Sequence, residues 1–358
     1  MFGPKSVLVV GTGTIGEPLI GLLCHFKAQL GIDEVLVHKR TPLLDDRAKV
    51  INLLRRGARL VTDSDRIAGF EQLGLKVDAC TEDALKAARV VIDCTPSGKE
   101  MKERWYGQYE DDTELFIAQG SQFGFGTPYA RGINDEVLAK GRDKYLQVVS
   151  CNTHNLSVII KVLGLGDEGP ENLVEGRFVC MRRANDISED GKFVPSPQVG
   201  AHRVERFGTH HARDAWHLFR SKGEQYDLNL FSSALRLNSQ FMHVIHYHLK
   251  VRRPVTRDEL VARLVADDRI AVTYKTTANS IFSFGRDHGF CGRILNHSVI
   301  PIDTLHVDES GTSITGCSFT PQDGNSLLSS VAAAVWGLYP ETYEKIVQCL
   351  RPYFFREV

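Results

Sequence analysis

Ser6-Val7-Leu8-Val9-Val10-Gly11-Thr12-Gly13-Thr14-Ile15-Gly16 decides the fold of this chain. Its first five residues form an apolar run of strand length, suited to a parallel sheet covered on both faces. A G-x-G-x-x-G turn follows at once, and Glu17 to Leu30 reads as a helix with Leu19, Ile20, Leu22, Leu23 and Phe26 apolar. Strand, glycine turn and helix in that order are the context of a dinucleotide-binding fingerprint. Gly11 makes the tight turn, Gly13 lets the backbone approach a pyrophosphate, and Gly16 allows helix and strand to touch.

Outward from that unit the strand-helix alternation continues. Glu34 to His38 is the second strand, and it ends in His38-Lys39-Arg40-Thr41-Pro42. An NAD-selective site places Asp or Glu there to hold the ribose 2′-hydroxyl. Two cations, Lys39 and Arg40, and the hydroxyl of Thr41 fit a 2′-phosphate instead, so NADP is the expected cofactor, with NAD tolerated. The competing reading is a solvated loop. Leu43 to Arg56 reads as a helix, Lys76 to Cys80 as a short strand, and Thr81 as the cap of the helix that follows. Arg89 to Cys94 is a buried strand ending in the loop Thr95-Pro96-Ser97-Gly98. Leu115 to Ala118 is another and runs into Gln119-Gly120-Ser121; Phe123 to Arg131 reads as a loop without an assigned role. The expectation is an α/β chain whose residues 1–150 form a Rossmann domain.

Val148-Val149-Ser150-Cys151-Asn152-Thr153 reads as a buried strand that stops at a cysteine and hands over to a helix capped by Asn152 or Thr153. A thiol at a helix N-terminus is drawn toward thiolate, the nucleophilic form. A small apolar residue at a strand end is the alternative, and local chemistry alone leaves both open. Beyond it the pattern changes. Leu173 to Arg183, Ser233 to Asn238 and Gln240 to Lys250 are extended runs, and Arg257 to Ala266 is a helix, so residues 151–324 are expected to form an α+β catalytic domain with a mostly antiparallel sheet. Residues 325–358 return to helix, the last from Glu341 to Leu350. His243, His246 and His248 lie on one strand, where alternation puts His243 opposite the other two. No metal site is expected from them, and one histidine as a general base is the better use.

The 358 residues suffice for two domains, and a net charge of -1 gives no general attraction to nucleic acid or membrane. Eight scattered cysteines without a C-x-x-C pair point to free thiols in a reducing cytoplasm.

Together these residues resemble the archaeal-type, or type II, glyceraldehyde-3-phosphate dehydrogenases. The resemblance lies in Gly11-x-Gly13-Thr14-Ile15-Gly16, Asp93-Cys94-Thr95-Pro96-x-Gly98, Gln119-Gly120, Val148 to Thr153, Arg182-Arg183-Ala184-x-Asp186, His210-His211-x-x-Asp214, Met242-His243 and Gln322. It implies a reversible, phosphorylating oxidation of glyceraldehyde 3-phosphate, a step of glycolysis and gluconeogenesis, by a cytoplasmic homotetramer with NADP or NAD and inorganic phosphate. Cys151 is then the nucleophile and His243 the base. Ser150 and Asn152 lie beside the substrate, and His211 with Ala212 meets its phosphate. Thr14, Ile15, Ser121, Arg183 and Gln322 touch the cofactor, and the C-terminal helices, residues 325–358, complete the dinucleotide-binding domain. The chain departs from the family pattern at Ser121, His154-Asn155 and Ala212-Arg213. His154 and Arg213 are therefore expected to join His211 around a phosphorylated aldehyde. Two other readings use the same residues: a semialdehyde or acyl-phosphate reductase, and a catalytically silent dinucleotide-binding protein.

Overall fold

A computed structural model describes residues 2–139, 143–186, 191, 193–321 and 323–358. Contacts divide the chain into two compact units. The first comprises Met1–Thr127, Leu138–Val148 and Ser329–Arg351, and the second Pro128–Val137, Val149–Leu328 and Pro352–Val358.

The first unit is built on a doubly wound sheet. Its strands are β1 (Ser6–Val10), β2 (Glu34–His38), β3 (Ala58–Thr62), β4 (Ala79–Cys80), β5 (Ala88–Asp93), β6 (Leu115–Gln119), the edge segment β7 (Thr127–Tyr129) and β8 (Tyr145–Val148). The order is β4-β3-β2-β1-β5-β6-β8-β7, and the pairs from β4 through β8 are parallel. Winding reverses between β1 and β5, so the carboxyl ends of those two strands open onto a crevice, the place where such sheets hold ligands. Helices α1 (Gly16–His25), α2 (Arg47–Arg55), α3 (Ile67–Gln72), α4 (Thr81–Ala87) and α5 (Gly98–Arg104) connect the strands. β1 is buried throughout, as its unbroken apolar run requires.

Several boundaries differ from expectation. α1 stops at His25, and α2 starts only at Arg47, because Leu43 and Leu44 remain exposed and have no apolar surface to meet. β3 was hidden in the sequence by Arg59, which turns aside to pair with Asp78 and Glu34. Thr81 is not a cap. The N-cap position of α4 is Cys80, and the Thr81 hydroxyl donates to Asp63 at 2.6 Å.

The second unit opens with α6 (Cys151–Ile159), which runs on through a π-helical segment over Ile160–Leu165. Then follow β9 (Leu173–Arg182), β10 (Gln198–Val199), α7 (His210–Arg220), β11 (Leu230–Arg236), β12 (His243–Val251), α8 (Arg257–Ala266), β13 (Ile270–Thr273), α9 (Ala278–His288), β14 (Ser298–Pro301), β15 (His306–Val307) and β16 (Ser313–Thr320); α10 (Gly324–Leu338) begins in this unit, and its part from Ser329 on, with α11 (Tyr343–Ile346), belongs to the first. The sheet order is β10-β11-β9-β12-β16-β14-β13, with β15 on β16. Only β9–β11 and β13–β14 are parallel, so the sheet is mostly antiparallel. α11 passes into a 3-10 segment, Val347–Tyr353, that contains Pro352, which shortens the helix expected to reach Leu350. On β12 the pleat buries His243, Ile245, Tyr247 and Leu249 and turns His246 and His248 to the other face.

Candidate active site

In the first unit the glycine turn behaves as its residue types require. Gly11 has φ 95°, and its N–H donates to the His38 carbonyl at 3.0 Å. A Cβ on Gly16 would lie 2.1 Å from the Gly11 oxygen, so only glycine lets α1 start that close to β1. A Cβ on Gly13 would meet nothing within 4 Å, leaving its backbone open to a ligand. Thr14 and Ile15 sit half-exposed on the same turn, and Ile15 is the N-cap residue of α1. Past β6, Gly120 has φ 75°; its N–H donates to the Val148 carbonyl at 2.9 Å and its own carbonyl accepts from Gln147 at 2.9 Å. That anchored turn presents Ser121 to solvent.

A cavity of about 320 Å³ adjoins the glycine turn, lined among others by Gly11, Thr12, His38, Lys39, Arg40, Thr41, Asp63, Thr95 and Trp105. Lys39, Arg40 and Thr41 thus come together as expected, but not equivalently. Lys39 Nζ donates to Asp46 at 2.6 Å and is mostly covered, whereas Arg40 and Thr41 are exposed. His38 is within 3.1 Å of Asp63, and this bond, with one from Thr81, holds the Asp63 carboxyl down at about 2. Thr95 directs both its N–H and its hydroxyl to Asp93 at 2.7 Å, which fixes the loop beyond β5. These features fit a nicotinamide dinucleotide: a bare glycine turn for its pyrophosphate and a cationic cavity beside the carboxyl end of β2.

In the second unit Cys151 is the first residue of α6. Ser150, and neither Asn152 nor Thr153, is the N-cap: its hydroxyl accepts from the Thr153 N–H at 3.3 Å. The sulfur is recessed, and burial pushes the thiol up to about 11 against the opposing pull of Arg183 and the Asn152 N–H. The expectation of a thiol lowered by the helix terminus is thereby corrected, because loss of hydration outweighs those favourable charges. Arg183 is itself buried. Its Nε and Nη2 donate to Asp186 at 3.1 and 2.6 Å and its Nη1 to the Phe241 carbonyl at 3.2 Å. Its guanidinium is a fixed charge near the thiol, held inside the second unit.

His243 is set by the same residue. The backbone N–H of Arg183 donates to His243 Nδ1 at 3.1 Å, so Nδ1 is the acceptor and the neutral ring carries its proton on Nε2. Burial, with Arg183 and Arg182, pushes the ring well below the usual histidine range. This arrangement runs against the expectation of His243 as the base, because Nδ1 accepts from the backbone and Nε2 already holds the proton.

The buried polar face of α6 is organised by a directed chain of hydrogen bonds. Ser318 Oγ donates to Asn155 Oδ1 at 3.1 Å, Asn155 Nδ2 to Thr320 Oγ1 at 2.9 Å, Thr320 Oγ1 to Asn152 Oδ1 at 3.0 Å, and Asn152 Nδ2 to His211 Nε2 at 3.4 Å. His211 therefore bears its proton on Nδ1, 3.1 Å from Thr209 Oγ1, which lies 2.6 Å from Ser232 Oγ. Both ends of the Asn152 amide are occupied, so this side chain positions His211 and does not itself meet a substrate. His211 is neutral, buried and bonded at both nitrogens, which removes it as a free phosphate donor. Ala212 is wholly buried, with its N–H donating to Ser232 at 3.1 Å. Arg213 aims Nε and Nη2 at Asp214, at 3.0 and 2.8 Å, so part of its fork is committed to that carboxylate.

His154 is also corrected. Its ring has no exposed surface, bonds the Ser150 carbonyl at 3.0 Å and stands edge-on to His297 at 5.0 Å. Burial pushes it down to about 4, so it is a neutral core residue and not an imidazolium beside the thiol. Gln322 lies outside the described residues. Among the described residues no group of His, Cys, Asp or Glu could hold a metal ion, and no helix is long and apolar enough to cross a membrane.

Residues that sequence reasoning missed arrive from distant elements. Asp323 and Arg293 extend the Arg183 network, with contacts of 3.8 and 3.6 Å. Asn325 donates to the carbonyls of Cys151 and His297 at 3.0 and 3.2 Å. Arg182 is exposed, forms no ion pair among the described residues, and acts electrostatically on His210, His211 and His243. Its place at the end of β9, next to Arg183, was the available signal.

No protein-family model matches the chain. It is 27% identical over 272 residues to a glyceraldehyde-3-phosphate dehydrogenase of Pyrobaculum islandicum, covering 74% of this chain and 72% of that protein. The corresponding protein of Methanobacterium bryantii is 29% identical over 280 residues, covering 74% and 73%. That of Methanocaldococcus jannaschii is 25% identical over 324 residues, covering 86% of each. The resemblance to the archaeal-type dehydrogenases thus extends along most of the chain.

Proposed function

We propose that the chain is an NAD(P)-dependent, phosphorylating glyceraldehyde-3-phosphate dehydrogenase that works through Cys151. The observation that carries this reading is Cys151 on the first turn of α6, under the charge of Arg183, with the Arg183 backbone holding His243. The bound dinucleotide supplies the hydride acceptor, and the glycine turn with the cavity beside β2 forms its cradle. NADP is favoured over NAD because Arg40 and Thr41, and no carboxylate, face that cavity from the end of β2.

Cys151, as thiolate, attacks the aldehyde carbon to give a thiohemiacetal. His243 Nε2–H donates to the carbonyl oxygen as charge develops there, the role open to a neutral imidazole. Loss of hydride from the carbon and of the hydroxyl proton to solvent leaves a thioester on Cys151. Inorganic phosphate attacks the thioester carbonyl and releases the thiolate and an acyl phosphate. Arg182, exposed and unpaired among the described residues, is the donor for the anionic end of the substrate. Assembly as a cytoplasmic homotetramer belongs to the same proposal.

Because His211 and Ala212 are buried and bonded and the Arg213 fork is partly committed to Asp214, a semialdehyde bearing a carboxylate is the second reading; Arg182 would serve either anion. The test is reduction of NADP and NAD with glyceraldehyde 3-phosphate and with a panel of semialdehydes, each with and without phosphate. Phosphate-dependent reduction with the triose phosphate, abolished in Cys151→Ser, is the expected result. Turnover of semialdehydes alone transfers the assignment to them, and no turnover with any aldehyde removes the catalytic reading.

A further inference from the structure

The cavity beside the glycine turn has a wall that the β1-α1-β2 fingerprint does not supply. Met101 and Arg104 on α5, with Trp105 just after it, line it together with Arg40 and Thr41 from the end of β2. Three cations, Lys39, Arg40 and Arg104, and one carboxylate, Asp63, are among the lining residues. Two of these four are already committed: Lys39 bonds Asp46 at 2.6 Å, and Asp63 accepts from Thr81 at 2.6 Å and lies 3.1 Å from His38. Arg40 and Arg104 remain. Both are exposed, neither forms an ion pair among the described residues, and the bond recorded for Arg104 involves only its carbonyl, which accepts from Gln108 at 2.9 Å. Trp105 adds a flat apolar surface, edge-on to His38 at 6.4 Å.

Two guanidinium groups without partners in a cavity of about 320 Å³ that also contains an indole and the first glycine of the turn form a site for a phosphorylated nucleoside. We infer that Arg104 is a second arm for the 2′-phosphate of NADP, acting with Arg40, and that Lys39 anchors the loop to Asp46 without reading the phosphate. Selectivity then comes from two separate connections of the sheet, on strands that flank β1: the loop after β2 and the helix after β5. The inference rests on the dinucleotide reading of the first unit and specifies which side chains choose the cofactor.

Calorimetric titration of the intact protein with adenosine 2′,5′-bisphosphate and with adenosine 5′-monophosphate tests this without turnover. Wild type should prefer the bisphosphate by at least about tenfold, and Arg104→Gln should reduce that preference by about tenfold while leaving the monophosphate within about twofold, as expected for loss of one charge-assisted pair. Arg40→Gln should act similarly, and the double variant should show no preference. Lys39→Gln should leave the ratio near wild type. An unchanged ratio in Arg104→Gln overturns the inference, as does equal weakening of both ligands, which would make Arg104 a general wall of the site. If wild type binds neither compound, the dinucleotide reading itself fails, an outcome distinct from loss of selectivity.

Discussion

At position 243 the ring nitrogen turned toward the backbone decides what the other can do. With the Arg183 N–H donating to Nδ1, protonating the ring would set two N–H groups against each other, so the neutral Nε2–H form is retained. Removing a donor aimed at a developing oxyanion costs about two to three orders of magnitude in kcat. His243→Leu should show that loss. His243→Gln should recover at least about tenfold of it, because an amide still donates, and neither variant should remove an acidic limb from the pH profile. Equal loss in both variants, with a limb near neutrality that disappears in each, would identify the ring as a base. His246→Asn and His248→Asn should stay near wild type, since both sit on the opposite face and His248 bonds Ser313 at 2.9 Å. Strand alternation separated His243 from the other two in the sequence, and the family resemblance made the choice among them. The tautomer was not legible, because it depends on one backbone N–H, donated by a residue sixty positions away.

Among the elements, α6 carries the tightest local logic. A helix buried on nearly every side with Asn152, Thr153, His154, Asn155 and Ser157 must satisfy its polar groups within the protein. Asn152→Leu deletes the link between Thr320 and His211 and should destabilise the fold by about 1–3 kcal/mol in urea titration, the cost of leaving a buried partner unsatisfied. Adding Thr320→Val should restore part of the loss, because removing both partners costs less than removing one. If the two losses simply add, the bond does not couple those positions. The start of α6 was readable to within a residue or two, yet the cap fell on Ser150, because the helix already begins at Cys151: Thr153 bonds back to Ser150, and Asn152 turns to Thr320 and His211. The Rossmann strands were legible wherever they are continuous apolar runs. β3, interrupted by Arg59, was not.

For the whole molecule, buried neutral histidines set the response to acid. His154 is pushed down to about 4 and His297 well below its usual range, in both cases chiefly by burial. Such rings bind fewer protons when folded than when unfolded, so they favour the folded state above the unfolded value of about 6.5. Their contribution falls as pH drops from there and is lost as pH falls through the folded value. For His154 the change is on the order of 3 kcal/mol. Thermal melts should therefore show Tm declining between about pH 6.5 and 4, and His154→Leu should flatten part of that decline. An equally steep decline in the variant would place the acid response elsewhere. The glycine turn, the strand-helix alternation and the change of pattern after Cys151 were enough to read a two-part α/β chain. The grouping of Pro128–Val137 and Pro352–Val358 with the second unit was not readable, since it arises from contacts between segments far apart in sequence. One feature also bears on how the protein ages. None of the eight cysteines is in a disulfide, and burial raises Cys24 and Cys151 to about 11, Cys180 to about 12 and Cys94 well above its usual range. Peroxide attacks thiolates and largely ignores thiols. Cys151, held as the thiol by its surroundings, is therefore shielded from oxidative wear, and the sulfurs elsewhere in the core share that endurance.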